Sequence, residues 1–104
     1  MARREAFVMF LKKGYEDEYI RRHNLLWPEV RDEIKKSGVY DYSIYLDRER
    51  GLLFAYQMTE GSSSQDLGCA DAIKRWWHYM SDIMETNEDE SPVSIKLEEA
   101  FHLD

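Results

Sequence analysis

Apolar residues recur along the chain at two different spacings, and each change of spacing marks a predicted element. Ala6–Lys12 is a short apolar run rich in strand formers, and it stops near Gly14. Residues 15–24 place apolar side chains three and four positions apart, which predicts a helix. Proline is tolerated in the first turn of a helix, so Pro28–Lys36 is predicted as a second short helix, with Gly38 as its C-terminal stop.

The middle of the chain predicts a β-hairpin. In residues 39–47, apolar and aromatic side chains alternate with mostly polar ones, and this pattern predicts a half-exposed strand. The polar connection at residues 47–51 leads into its predicted partner strand, Leu52–Met58. Four residues of the first strand are predicted to share one face: Tyr40, Tyr42, Ile44 and Leu46.

The last third of the chain predicts one long helix and one strand. Apolar residues recur at helical spacing from Gln65 to Met84, with Gly68 as a possible break. An acidic loop follows at residues 87–92, and Val93–Leu103 is predicted as the final strand.

The predicted order is therefore β-α-β-β-α-β, in one domain that covers residues 1–104. One antiparallel sheet with its helices on one side is the ferredoxin-like arrangement of the α+β class. Such an arrangement leaves the second face of the sheet uncovered. A second copy of the chain is the simplest cover for an apolar face, so we expect a homodimer in which two sheets pack face to face.

Charge and composition narrow the classes of partner. The formal net charge of −7 opposes binding to nucleic acid and to anionic membrane surfaces. The chain has no apolar stretch of about 20 residues, the length that would cross a bilayer.

The single cysteine, Cys69, has no partner within the chain, which favours a reducing compartment, and we expect the cytoplasm. Aromatic residues make up 13% of the chain, enough that some rings are expected to line a pocket or an interface.

The sequence lacks the motifs that mark several kinds of chemistry. Three histidines and one cysteine form no zinc pattern, so no metal site is expected. The five glycines form no phosphate-binding loop, and no nucleophile elbow of the serine hydrolases occurs. The predicted chemistry therefore uses no cofactor.

Two clusters combine polar and aromatic residues. Tyr19 and His23 lie four residues apart, so they share one helix face and offer an aromatic ring beside an imidazole that titrates near neutrality. A surface helix with Tyr19 in the core fits the same spacing equally well. Trp76 and Trp77 are adjacent in the other cluster and point about 100° apart on a helix. One of them is expected in the core, and the other could form a platform for the apolar face of a ligand.

Four motifs in series resemble those of the L-rhamnose mutarotase family. They are Arg21-Arg-His-Asn24 with Trp27-Pro-Glu29, Tyr42-Ser-Ile-Tyr-Leu-Asp47, Arg75-Trp-Trp-x-Tyr-Met-x-Asp82 and Ser91-Pro-Val-Ser94. The resemblance runs over nearly the whole chain in matching order. The departure lies at residues 60–69, where the Gly-Ser-Ser-Ser run and Cys69 are unlike the family pattern, and this puts the shape of the pocket in doubt.

The resemblance implies a dimeric α+β enzyme that interconverts the α and β anomers of L-rhamnose, an isomerase without a cofactor. It implies that His23 is the proton donor. It also implies that the sugar is bound by Tyr19, Tyr42, Trp76 and Trp77. The sequence does not choose a second proton-handling group among Tyr19, Tyr42 and a bound water.

Two other classes of function compete with this interpretation. A monooxygenase-like domain that handles heme or quinone has a similar size and would need an open apolar cavity, often with a ligating histidine. A small-ligand sensor domain would normally be joined to a DNA-binding helix-turn-helix, for which 104 residues with net charge −7 leave no place.

Overall fold

The computed structural model describes all residues, 1–104, as one sheet with its helices on one side. Pro28 begins a helix and Gly38, at φ +101°, lies two residues after its last residue, as the sequence predicts. The elements in chain order are β1 Arg3–Phe10, α1 Glu16–Asn24, α2 Pro28–Lys36, β2 Val39–Asp47, β3 Leu52–Thr59, a single 3₁₀ turn Ser64–Asp66, α3 Asp71–Met80 and β4 Ser94–Leu97.

The four strands form one antiparallel sheet in the order β2-β3-β1-β4. β1 and β3 lie in the centre, and each β-α-β connection passes over one strand before it rejoins the sheet. This is the strand order of two interleaved split β-α-β units. The predicted α+β class and the ferredoxin-like order of elements are confirmed.

The predicted helix over residues 65–84 is wrong at both ends. α3 covers only Asp71–Met80, and a separate 3₁₀ turn precedes it. Gly68 lies in the break between them. Beyond Met80 the apolar spacing continues, but Ile83 and Met84 are buried by a turn and by a bridge to Leu11. Ile83 and Met84 keep the spacing of a helix because both are buried, although the backbone there is not helical.

The predicted face of Tyr40 is also wrong. β2 carries a bulge between Tyr40 and Ser43, where Asp41 adopts a positive φ of 49°. An extra residue in one strand reverses the alternation on either side of it. Tyr40 therefore lies opposite Met58 on the outer face, whereas Tyr42 points to the helices with Ile44 and Leu46.

The last strand is shorter than the predicted Val93–Leu103. β4 pairs with β1 only through Ser94–Leu97, and the residues after it have no regular structure. An ion pair of 2.7 Å between Arg4 and Glu99 holds the start of this tail. β1 continues to Arg3, but residues 98–100, Glu-Glu-Ala, are of types depleted in strands, and they do not pair with it.

The two faces of the sheet have different surroundings. The inner face carries Phe7, Met9, Leu53 and Ala55, which are buried in one core with the helices. No helix covers the outer face, where Phe54 remains 40% exposed. No helix of this fold is both long enough and apolar enough to cross a membrane.

Candidate active site

A cavity of about 380 Å³ lies between the inner face of the sheet and the helices. Its volume is near the lower end of the range for small-molecule sites, about 300–1,000 Å³, and suits a ligand of monosaccharide size. Fifteen of its 20 lining residues are hydrophobic. All five residues singled out in the sequence line it: Tyr19, His23, Tyr42, Trp76 and Trp77.

α1 positions the first two of these residues. Its first turn carries acidic side chains and its last turn carries basic ones, which suits the helix dipole. One helical turn separates Tyr19 from His23, and their rings stack with centroids 4.2 Å apart and planes inclined by 28°. Tyr19 is only 5% exposed, so the ring beneath the imidazole is fixed by the core. The spacing predicted this shared face.

A backbone carbonyl selects the tautomer of His23. Its Nδ1 lies 3.2 Å from the carbonyl oxygen of Tyr19, which can only accept a hydrogen bond. The neutral imidazole therefore carries its proton on Nδ1, and Nε2 keeps a free lone pair. Such a nitrogen can take a proton from a ligand and return it.

Burial keeps the titratable groups of the cavity uncharged. Loss of solvation lowers the pKa of His23 below its usual 6.5, and the hydrogen bond to the Tyr19 carbonyl opposes this only in part. Burial raises the pKa of Tyr19 well above 10, and proximity to Tyr42 raises it further. The pKa of Tyr42 is also raised by burial, with partial relief from the hydroxyl of Ser64. At neutral pH the cavity thus offers a neutral imidazole and two neutral phenols.

α3 supplies the aromatic wall. Trp76 meets His23 edge to face with centroids 5.5 Å apart, and it meets Trp27 in the same way at 5.1 Å. Trp27 in turn stacks on Tyr79 at 5.2 Å. Trp76 and Trp77 are each 7% exposed, and both line the cavity as well as the core. We expected one tryptophan in the core and the other at the ligand, but both residues occupy both places.

Arg22 joins the two helical walls of the cavity. Its guanidinium donates to Glu18 on its own helix, at 2.7 Å, and across to Asp82, at 2.9 Å. It also donates to the backbone carbonyl of Tyr79 at 2.7 Å and lies 4.3 Å from the centre of that ring. With its side chain 9% exposed, Arg22 is a buried cation satisfied on both sides. It fixes the position of α1, and so of His23, against α3.

Two polar residues of the cavity lie outside every motif recognised in the sequence. Ser64 and Gln65 belong to the segment that departs from the family pattern, and both line the cavity beside Tyr42. No motif marked them, because serine and glutamine in a Ser-rich segment are typical of a loop. The other histidines lie away from the cavity: His78 binds Glu90 at the surface, and His102 binds Asp104 in the tail. Cys69 is exposed and does not line the cavity.

Comparison with known proteins gives consistent matches over the full chain. The family model described as L-rhamnose mutarotase matches residues 4–103. A protein of Bacteroides thetaiotaomicron with the same description is 57% identical over 98% of this chain and 99% of its own length. A protein of Phocaeicola vulgatus, described likewise, is 54% identical over the same shares.

A solved structure agrees in fold as well as in sequence. The crystal structure of L-rhamnose mutarotase FA22100 from Formosa agariphila superposes with a TM-score of 0.92 at 46% identity. The match covers 98% of this chain and 99% of that one. The two folds thus agree over nearly the whole of both chains.

Proposed function

Because the chain belongs to the L-rhamnose mutarotase family, we propose that His23 is its proton-transfer residue and that Tyr19, Tyr42, Trp76 and Trp77 bind the sugar. The activity of the chain is the interconversion of the α and β anomers of L-rhamnose, an isomerase reaction. The observation that supports the residue assignment is the imidazole of His23, neutral and stacked on Tyr19 inside an apolar cavity.

The reaction needs one proton to leave the anomeric oxygen and one to reach the ring oxygen. Nε2 of neutral His23 accepts the proton of the C1 hydroxyl as the bond between C1 and the ring oxygen breaks, and C1 becomes an aldehyde. The imidazolium then donates that proton to the former ring oxygen, which leaves as a hydroxyl. Both oxygens start on the same carbon, so one nitrogen can serve both.

Ring closure reverses these steps after rotation about the bond between C1 and C2. His23 takes the proton from the hydroxyl that attacks C1 and donates it to the aldehyde oxygen, now on the other face. A pKa close to the working pH suits a group that must accept and release a proton in each turnover. The burial of His23 keeps its pKa somewhat lower, so it begins each turnover as the base.

The remaining cavity residues orient the sugar. Neutral phenols donate hydrogen bonds, so Tyr19 and Tyr42 can bind sugar oxygens. Rhamnose is a 6-deoxy sugar with a methyl group and apolar C–H faces, which pack well against indole rings. Trp76 and Trp77 provide such rings on the α3 side of the cavity.

The second part of the proposal is a homodimer formed through the outer face of the sheet. That face carries apolar residues on all four strands, and contiguous exposed apolar surface marks an interaction site. The cavity lies on the opposite side of the same sheet, so pairing leaves it open. The apolar and aromatic outer residues are Ala6, Val8, Phe10, Tyr40, Tyr45, Leu52, Phe54, Tyr56, Met58, Ile95 and Leu97.

For location we propose the cytoplasm. The support is the exposed free thiol of Cys69, which is compatible with a reducing compartment.

The test is anomer exchange measured at equilibrium by NMR saturation transfer between the α and β anomeric protons of L-rhamnose. His23→Ala should lower the catalysed rate by about 100-fold or more, the usual scale for loss of a general acid/base. Affinity for the sugar should change much less, since aromatic rings and hydroxyl partners remain. His78→Ala is the matched control, because this histidine lies outside the cavity.

A folded His23→Ala chain that exchanges anomers at the wild-type rate would place the proton donor elsewhere. Equal losses in both histidine variants would indicate a general effect on folding instead.

A further inference from the structure

The inner face of the two central strands changes from apolar to polar toward the end where β1 begins and β3 ends. There Glu5, Gln57 and Thr59 take the places that apolar core residues occupy further along the same strands. Gln57 and Thr59 have no exposed surface. Burying a polar side chain is costly unless it is hydrogen-bonded, so each needs a partner. Those partners lie in the segment of residues 60–69 that departs from the family pattern.

Gln57 joins the sheet to this segment. Its Nε2 donates to Oε1 of Glu5, its opposite residue on β1, at 2.9 Å, and to Ser63 Oγ at 3.1 Å. Both hydrogens of the amide are therefore used. Ser63 Oγ also accepts from the backbone N–H of Gln65 at 3.2 Å, which caps the 3₁₀ turn Ser64–Asp66. One buried side chain thus connects the centre of the sheet to the start of this turn.

Glu5 determines which way the amide of Gln57 points. Burial alone would raise the pKa of Glu5, but hydrogen bonds from Gln57 and Arg3 outweigh it and hold that pKa below its usual value. The side chain is therefore a carboxylate at neutral pH, and a carboxylate only accepts hydrogen bonds. A flipped amide would place its oxygen against this carboxylate and would remove the donor from Ser63.

Thr59 and the backbone fix the first part of the same segment. Thr59 Oγ1 donates to the carbonyl of Ser62 at 2.8 Å and accepts from the N–H of Gly61 at 3.0 Å. The N–H of Ser62 donates to the carbonyl of Ser37 at 3.1 Å. The bond from Gln57 is the one that ties the following 3₁₀ turn to the sheet.

The 3₁₀ turn forms part of the cavity wall. Ser64 and Gln65 both line the cavity, and Ser64 is 5% exposed. A wall that is already in place when a ligand arrives needs no further ordering on binding. A wall that is in place only part of the time lowers the apparent affinity by that fraction.

We propose that Gln57 is a positioning residue for the sugar site: oriented by Glu5, it fixes Ser63 and so holds the Ser64–Asp66 turn in the cavity wall. The proposal rests on the assignment of this cavity as the sugar site. Gln57 itself does not line the cavity, so it acts through the turn. The segment that departs from the family pattern thereby contributes to affinity for the sugar.

The experiment measures L-rhamnose affinity by the change in tryptophan fluorescence, since Trp76 and Trp77 line the cavity. Gln57→Glu keeps the shape of the side chain, places a second carboxylate against Glu5 and removes both amide donors. We expect it to weaken binding about 3- to 10-fold, the range for one hydrogen bond. Anomer exchange at saturating sugar should stay near the wild-type rate, because His23 lies on α1 and keeps its surroundings.

Exchanging the two side chains should restore the link. In the double variant Glu5→Gln, Gln57→Glu, the amide is on β1 and the carboxylate is on β3. The amide can donate to the carboxylate, and the carboxylate can accept the hydroxyl proton of Ser63, which still caps the turn. Affinity should therefore return toward that of wild type.

Ser63→Ala removes the same link at its other end, where the side chain is only partly buried. It should weaken binding in the same range as Gln57→Glu. The two changes combined should weaken it no further, because both remove one interaction. Ser62→Ala is the control and should bind as wild type does, since this exposed neighbour is held through its backbone.

Unchanged L-rhamnose affinity in folded Gln57→Glu or Ser63→Ala would overturn the proposal. A double variant that binds as weakly as Gln57→Glu would also overturn it. Equal losses of affinity and of exchange at saturating sugar would indicate a general effect on the fold and would count against a positioning role.

Amide hydrogen exchange without sugar separates this proposal from the proposed function. The N–H of Gln65, which bonds to Ser63 Oγ, should lose protection in Gln57→Glu and keep it in Ser62→Ala. If wild type failed to bind L-rhamnose, the assignment of the site would fail, and the protection of Gln65 would still decide whether Gln57 holds the turn. If wild type binds and exchanges the sugar while Gln57→Glu does both equally well, only the Gln57 proposal fails.

Discussion

Gly68 packs so closely against the indole ring of Trp77 that no side chain fits between its backbone and the ring. A Cβ at position 68 would lie 2.9 Å from Cζ3 and 3.3 Å from Cη2 of that ring. Trp77 is 7% exposed and forms part of both the core and the cavity wall, so it has little room to move. Gly68, first identified as a break in the helical pattern, therefore also sets the position of the tryptophan.

Gly68→Ala should lower the free energy of unfolding by about 1–3 kcal/mol, the usual cost of overpacking a core. It should also weaken L-rhamnose binding, because the displaced ring belongs to the cavity. Denaturant unfolding and a fluorescence titration measure the two effects. In a Trp77→Phe background, Gly68→Ala should lower the free energy of unfolding by less than it does in wild type, since the smaller ring leaves room for the methyl group. A Gly68→Ala chain as stable as wild type would contradict this prediction.

Tyr19→Phe should reduce anomer exchange by a smaller factor than His23→Ala. The substitution keeps the ring that stacks on the imidazole and removes one hydroxyl, worth about 0.5–1.5 kcal/mol as a hydrogen bond. Saturation-transfer NMR gives the rate. Tyr45→Phe on the outer face is the matched control and should leave exchange unchanged. A loss in Tyr19→Phe as large as that in His23→Ala would mean that the phenol itself transfers a proton.

The rate of exchange should depend on pH through His23. Burial lowers the pKa of this group below 6.5, so the neutral base predominates at pH 7 and above. The catalysed rate should therefore be flat above neutrality and fall as pH drops through a midpoint below 6.5. Rates are measured against buffer alone, because mutarotation also proceeds without enzyme. A midpoint above 6.5 would show that His23 is stabilised in its charged form.

The same shift has a consequence for stability. The unfolded chain binds a proton at His23 near pH 6.5, whereas the folded chain resists it to a lower pH. The stability contributed by this histidine is thus present above about pH 6.5 and is lost as pH falls toward the folded pKa. His23→Ala should remove that part of the pH dependence of unfolding.

The outer face of the sheet should determine the oligomeric state. Wild type is expected to sediment at twice the chain mass of 12.5 kDa at micromolar concentration. Phe54→Lys should shift it toward the single-chain mass, because Phe54 lies on a central strand of that face and is 40% exposed. Leu25→Lys, at an exposed apolar residue after α1, should remain dimeric. Wild type at the single-chain mass would contradict the homodimer.

Local signals in the sequence were sufficient for some elements. α2 and β2 occupy the predicted residues, because Pro28 defines the first turn of the helix and Gly38 ends it at positive φ. Long-range packing decided the others. Ile83 and Met84 keep helical spacing in a non-helical turn, and the bulge at Asp41 leaves no trace in the alternation of β2.

The candidate site divides in the same way. Tyr19 and His23 were predicted to share a face because one helix carries both, and motif resemblance brought in Tyr42, Trp76 and Trp77. Gln65 could not be predicted, since no local pattern in a Ser-rich loop shows that this residue will line the cavity. Arg22 was visible as part of a motif, but its link to Asp82 spans 60 residues and needs the tertiary structure.

The guanidinium of Arg22 ties α1 to α3 and the turn after it through bonds to Glu18, Asp82 and the Tyr79 carbonyl, and each of these partners belongs to the protein itself. The entropy of bringing these walls together is therefore lost once, during folding, and not again each time a ligand enters. A receptor of this kind is preorganised, and its affinity does not have to offset a closing motion. For a reaction whose substrate and product differ only at one carbon, we expect turnover to be limited by proton transfer and by diffusion of the sugar.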